Sequence, residues 1–270
     1  GTQPPAPRLD PPAGHPGRAA LPWRPMTHPL ADRITEHLGT VARLRQQRAA
    51  DPPRAQRVLA VKTYQAQRFA RSYADLLAHP RYGAAARFFL DELYGPQEFS
   101  RRDQQFERVV PALVRLFPGE LVGTVEQLGE LHALTEAMDD AAAAHLPGLP
   151  CTAAGYAQAW QGAGRAPARE RQIVLTLAIG TALEGYTRSR LMRSTLRLMR
   201  GPARAAGLQD LQRFLEAGFE AFGAMRGAGE FLGLVAQRER ALAAALFAPD
   251  APAQAALPPE ARPPALAVLP

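Results

Sequence analysis

His132, Glu136 and Asp139 fall at i, i+4 and i+7, a spacing that puts an imidazole and two carboxylates on one face of a helix. Glu184 continues the Ile173, Leu177, Gly180 face of a later apolar helix and is the best contributor from a second helix. Imidazole and carboxylate groups projecting from facing helices are what a metal centre in a helical bundle requires. The paired Glu-x-x-His motifs of di-iron carboxylate bundles are absent. The structural alternative is a His–Asp hydrogen bond beside an ion pair to an arginine. The expectation is therefore no cofactor, with a metal held by this quartet as the competing case.

A second group is cationic. Arg190, Arg193, Arg197 and Arg200 are spaced 3, 4 and 3, Arg188 and Arg204 flank them, and no acid lies between Glu184 and Asp210. A row of guanidinium groups suits phosphate oxygens of nucleic acid, of a phosphorylated ligand or of a lipid surface. No aromatic residue interleaves the arginines to stack on bases, and no helix-turn-helix is recognisable. A solvated face, or pairing with acids of the same fold such as Asp139-Asp140 and Asp91-Glu92, is the plainer outcome.

The third group is a carboxylate in an apolar stripe. Phe99, Asp103, Phe106, Val110, Leu113 and Phe117 follow at spacings of 4, 3, 4, 3 and 4, so Asp103 occupies a core-facing slot. A buried carboxylate needs a partner. Arg87, Arg101, Arg102 and Arg108 are the nearby cations, and a structural ion pair of Asp103 with Arg102 and Arg87 is expected. No P-loop, dinucleotide fingerprint, GxSxG elbow, HExxH or EF-hand pattern is present. The one cysteine, Cys151, sits in a Pro-rich loop, where it reads as an ordinary thiol. It excludes an internal disulfide and a cysteine-rich zinc site, and a cytoplasmic setting fits it best. These absences point away from an enzyme.

The elements that position these groups read as helices throughout. Ala31 to Arg48 is amphipathic. A long helix follows Pro52-Pro53 and runs to about His79, and Arg87 to Tyr94 ends at a Gly95-Pro96 corner. A further helix reaches Phe117, with a kink expected at Pro111. Later helices span Glu120 to His145, Thr152 to Trp160 with Thr152 as N-cap, Arg169 to about Tyr186, Arg188 to Arg200, Leu208 to about Met225, and Gly229 to Phe247. The helix beginning at Arg169 is apolar on all sides and is expected at the centre. Phe214, Gly218, Phe219, Phe222 and Gly223 combine aromatics with helix-interior glycines, which predicts close helix approach, with an apolar pocket or homodimer face as alternatives. No run is long enough for a membrane span. Residues 1–27 and 248–270 are rich in proline and are expected to be disordered tails. The fold class is thus all-α: one bundle-like domain over residues 28–247.

The net charge is +7, yet Lys62 is the only lysine among the basic residues. The arginine and alanine excess is that of a GC-rich genome and makes overall charge a poor guide to partners. Phe88 to Asp103 (FFLDELYGPQEFSRRD), with Leu131 to Asp139 and Ala206 to Leu232, resembles a family of uncharacterised proteobacterial proteins carrying an FFLxxLYGPxxFxxRD signature. That resemblance extends over most of residues 55 to 245 and implies a cytoplasmic, wholly helical protein with no activity to carry over. The sequence therefore describes a helical binding or interaction protein with a protein or phosphate-bearing partner. The alternatives are a polyanion-binding regulator using the arginine face and a metal-dependent helical enzyme.

Overall fold

Helix α1 (Pro29–Ala49) opens the fold in a computed structural model that describes residues 28–93 and 100–270. The Gly95-Pro96 corner, Phe99 and the proline-rich residues 1–27 lie outside the described residues. Helix α2 (Pro52–Ser72) begins where Asp51 Oδ1 accepts a hydrogen bond from the Arg54 amide at 3.1 Å, so the side chain satisfies one of the open donors of the first turn. The expected long helix breaks at Tyr73, and the short α3 (Ala74–Ala78) follows. Helix α4 (Gly83–Phe88) passes into a π-helical turn over Phe89–Leu93. Helix α5 (Ser100–Leu116) runs unbroken through Pro111.

Helix α6 (Gly119–Ala144) is the hub, packing against α1, α2 and two later helices, α7 (Ala153–Ala163) and α8 (Ala166–Thr187). Thr152 caps α7 by accepting from the Gly155 amide at 3.1 Å. The central place expected for α8 belongs to α6. One side of α8 carries Glu170, Arg171, Val174 and Thr181 to solvent. The basic stretch divides into α9 (Arg190–Leu198) and α10 (Arg200–Ala205), and α11 (Gln209–Met225) and α12 (Gly229–Phe247) complete the main body. No strand is present among the described residues.

Gly180 of α8 and Gly218 of α11 serve close approach. A Cβ on Gly218 would come within 2.9 Å of Phe88 Cζ, and one on Gly180 within 2.6 Å of Leu232 Cδ2. Phe69, Tyr73, Phe88, Phe89, Phe222 and Phe231 form an aromatic core between α2, α4, α11 and α12. A second core joins Val61 and Tyr64 to Tyr156 and Trp160.

The expected C-terminal tail is corrected by the structure. Residues 248–270 pack onto the second core through a short helix, α13 (Ala251–Ala255), and a turn in which Leu266 and Leu269 are fully buried. The prolines end and turn short segments here, and side-chain donors from the segment itself and from α2 meet backbone carbonyls left open. Arg71 Nη1 donates to Leu269 O at 3.1 Å, Arg262 Nη1 to the same oxygen at 2.8 Å, and Tyr64 Oη to Pro270 O at 3.3 Å. Two leucines and two alanines in sockets suffice to anchor a segment whose composition is otherwise that of a loose chain. Replacing Leu266 or Leu269 by alanine is expected to lower unfolding free energy by about 2–5 kcal/mol, the usual cost of a buried leucine deletion. Equilibrium urea denaturation checks this; a change under about 0.5 kcal/mol is what a solvated tail would give.

Candidate functional site

The C-terminal half of α6 carries three carboxylates inward, at Glu136, Asp139 and Asp140, and the packing around them is decided by their charge. Arg48 of α1 donates from Nε to Asp140 Oδ1 at 3.0 Å, from Nη2 to the Glu136 carbonyl at 2.9 Å, and from Nη1 to the Glu136 carboxylate. Lys62 Nζ reaches the other Glu136 oxygen at 2.6 Å, and Arg54 closes on Asp140. Glu136 is only 3 % exposed. Burial alone would raise its pKa, but Lys62 and Arg48 outweigh that and hold it at about 2.

One turn further, Asp139 is 2 % exposed and accepts a 2.9 Å hydrogen bond from Gln65 Nε2. Desolvation dominates here and raises its pKa above the ordinary carboxylate value, against the pull of Lys62 and Arg169. Beyond it, Arg68 Nη1 meets Glu239 Oε1 at 2.5 Å, and Tyr73 Oη donates to the same oxygen at 2.7 Å. The Arg169 guanidinium lies 4.1 Å from the centre of the Trp160 ring and donates to Gln172 Oε1 at 3.0 Å.

These groups form one end of a cavity of about 580 Å³, within the roughly 300–1,000 Å³ usual for small-molecule sites. Its polar end is walled by Gln65, Arg68, Asp139, Tyr156, Trp160 and Arg169, and its apolar end by residues including Phe88, Phe89, Leu183, Phe214 and Phe222. Two donors at the polar end, Tyr156 Oη–H and Trp160 Nε1–H, have no acceptor at hydrogen-bonding geometry. They stand one turn apart on α7, close enough for the indole N–H to pull the phenol pKa down against the stronger upward effect of burial. The charges of Arg68 and Arg169 pull in the same direction and that of Asp139 against it.

The residues singled out in the sequence are distributed differently from expectation. His132, Glu136, Asp139 and Glu184 do not converge. His132 Nε2 meets Asp103 Oδ2 at 2.8 Å, Glu136 is held by Arg48 and Lys62, Asp139 by Gln65, and Glu184 pairs with Arg188. Among the described residues no group of three or more His, Cys, Asp or Glu side chains is placed to hold a metal. Each carboxylate has found a nearer cation or amide.

Asp103 is half-enclosed and paired, but chiefly with Arg45 of α1, at 2.8 Å, and with His132. Arg102 Nε stands 3.9 Å away and turns toward Glu92, and Arg87 donates to the Leu77 carbonyl instead. Burial pushes the Asp103 pKa up; the His132 hydrogen bond and the charges of Arg45 and Arg102 bring it below the ordinary value. Of the arginine face, Arg200 pairs with Glu216 at 2.7 Å, and Arg193 donates to Thr187 O and lies over Phe219. Arg190 and Arg197 are exposed. Among the described residues, neither Asp139-Asp140 nor Asp91-Glu92 forms an ion pair with the face.

Gln65, Arg68, Arg169 and Glu239 were missed in the sequence, although a signal existed. Gln65 falls between Val61 and Phe69 at spacings of four, and Glu239 follows Val235 and precedes Leu242 at spacings of four and three. Both therefore sit in core register, as Asp103 does.

The two acids of α6 predict opposite pH slopes. Glu136 has a folded pKa below its reference of 4.5, so its contribution is present above that value and lost as pH falls toward about 2. Asp139 has a folded pKa above its reference of 3.8, so its penalty is absent below that value and grows as pH rises toward the folded pKa. Glu136→Gln is expected to cost about 3–5 kcal/mol at neutral pH by leaving Lys62 and Arg48 undercompensated. Asp139→Asn is expected to raise the denaturation midpoint at pH 8 and to converge with wild type below pH ~4. Urea denaturation across pH checks both; an Asp139→Asn protein less stable than wild type at pH 8 would contradict a carboxyl whose pKa is raised by desolvation.

Comparison with known proteins assigns no chemistry to this arrangement. No curated protein matches the chain, and no solved structure does. The sequence profile described as Domain of unknown function (DUF8198) matches residues 44–253, the span that holds α2 to α12 and every group of the polar end. The chain belongs to the DUF8198 family.

Proposed function

We propose that this protein binds a small amphiphile in its interior, an apolar chain lying against the aromatic end of the cavity and an acceptor-bearing head, of the carboxylate type, at Tyr156 and Trp160. The observation that carries this reading is the pair of buried donors without acceptors in a cavity whose remaining walls are mostly apolar. A buried hydroxyl or indole N–H left unpaired costs about 1–3 kcal/mol, and a ligand oxygen would recover it. The positive potential from Arg68 and Arg169 selects an electron-rich head over a cationic one. Asp139 acts against them, and burial raises its own pKa.

Binding accounts for the groups better than catalysis does. Glu136, Asp140 and Glu239 are each committed to ion pairs, and burial pushes the Cys151 thiol up to about 12, far from a nucleophilic thiolate. The thiol also suits a reducing compartment, and no helix among the described residues is long and apolar enough to cross a membrane.

Isothermal titration of the full chain with hexanoate, dodecanoate and hexadecanoate tests the reading. One equivalent is expected to bind, with affinity rising with chain length and a negative heat-capacity change from apolar burial. Tyr156→Phe removes only an oxygen. It is expected to weaken dodecanoate roughly three- to tenfold, the worth of one hydrogen bond, while the empty protein becomes no less stable. Affinity independent of chain length, or Tyr156→Phe binding as wild type, would refute the placement of the ligand.

A further inference from the structure

Helix α9 has no buried residue, although its sequence contains Leu191, Met192, Leu196 and Leu198. Leu191 and Leu198 are each 77 % exposed, the most exposed large apolar side chains among the described residues. At 100° per residue Arg197, Arg190, Ser194, Leu198 and Leu191 follow one another around one continuous arc, and all five are exposed. Arg190 and Arg197 have no ion pair with any described carboxylate. The adjacent arc, turned toward α11, is different. There Arg193, Arg197 and Arg200 border a cleft that also contains Glu216 and Glu220, and Arg200 is paired.

The opposite side of α9 walls the cavity. Met192 and Leu196 line it, and Leu116, Phe117, Met199 and Leu215 both line it and are exposed, which places its mouth beside this helix. Scattered apolar residues on a surface need no explanation. A nine-residue helix presenting two leucines beside exposed arginines at a cavity mouth, with Arg190 unpaired and Arg197 near Glu216 but in no direct ion pair, is a different case.

We propose that the Arg190–Leu191–Arg197–Leu198 arc of α9 docks on an anionic lipid surface. The proposal goes beyond ligand binding, and it would bring the cavity mouth to the source of an amphiphile. Arginines meet lipid phosphates while the leucines enter the interface, the two contributions an interfacial helix needs. A nucleic acid would leave the leucines unused, and no aromatic on the arc offers base stacking. A symmetric contact with a second copy would set arginines against arginines.

The test is co-sedimentation of the full chain, without added ligand, with phosphatidylcholine vesicles and with vesicles containing phosphatidylglycerol. Binding to the anionic vesicles alone, weakening with salt, is expected. Arg190→Glu with Arg197→Glu should reduce partitioning by about thirtyfold or more, at roughly fivefold per basic residue lost. Leu191→Ser with Leu198→Ser should reduce it at unchanged charge. All four positions are exposed, so both double variants should keep the wild-type denaturation midpoint and dodecanoate uptake. No binding to anionic vesicles at low salt overturns the proposal. So does a leucine variant that binds as wild type and is displaced by single-stranded RNA, which would mark a plain polyanion surface. A dimer formed through this face without vesicle binding overturns it as well. Vesicle binding by a protein that takes up no dodecanoate supports the docking and ends the cavity reading; uptake without vesicle binding overturns the docking alone.

Discussion

Three carboxylates within five residues of α6 point into the protein, and the arrangement of the surrounding helices follows from how each is accommodated. An unpaired buried carboxylate would cost several kcal/mol even after relaxation. Helices α1 and α2 supply the compensation. Arg48 bridges Glu136 and Asp140, Lys62 takes the other side of Glu136, and Gln65 meets Asp139. These contacts fix the register of α1 and α2 against α6, because a shift by one residue would move each cation to another face of its helix. The ion pairs specify the packing more than they stabilise it, since apolar side chains of similar volume could fill the same space at no greater cost.

The same constraint accounts for a cavity at this point. Charged side chains that must keep their partners cannot collapse into every gap, and the rings of Tyr156 and Trp160 are held by packing on Tyr64 and Phe247, with ring centres 4.7 and 5.5 Å apart. Toward the other end, aromatic side chains of α4 and α11 hold the helices apart except where Gly218 and Gly180 admit close contact. The outcome is one continuous space with unlike ends, bounded at its outer side by α9. Architecture, site and surface are thus linked through α6 and α8, whose two sides serve the ion-pair network and the cavity wall.

The helices were legible in the sequence because periodicity and proline punctuation act locally. So was the need for Asp103 to have a partner, since a carboxylate in a run of Phe, Val and Leu at helical spacing has few alternatives. The principal partner was not legible. Arg45 reaches Asp103 from a helix distant in sequence, whereas Arg102, near in sequence, makes a longer 3.9 Å pair and Arg87 points elsewhere. Proximity along the chain is a poor guide to long, flexible side chains. The metal quartet was misjudged for the same reason: spacing placed His132, Glu136 and Asp139 on one face, but that face meets Asp103 of α5, Arg48 of α1, and Lys62 and Gln65 of α2. The C-terminal segment was misread because composition averages over twenty residues, while anchoring depended on a few of them, Ala251, Ala255, Leu266 and Leu269. The cavity was legible only as an alternative, an apolar pocket at Phe214, Gly218, Phe219 and Phe222, which do line it; its polar end was not legible, being a property of how helices meet.

The claim on which the account rests is that an acceptor-bearing head sits in the positive field beside Tyr156 and Trp160. Nuclear magnetic resonance of dodecanoate labelled with carbon-13 at its carboxyl group, bound to the full chain and titrated downward in pH, measures this at the atom concerned. The account predicts a distinct bound resonance whose carboxyl stays ionised below the range of the free acid, because arginine charge and two hydrogen-bond donors favour the anion. A bound resonance that titrates like the free acid or at higher pH would place the head in an apolar or exposed environment, and would contradict the account.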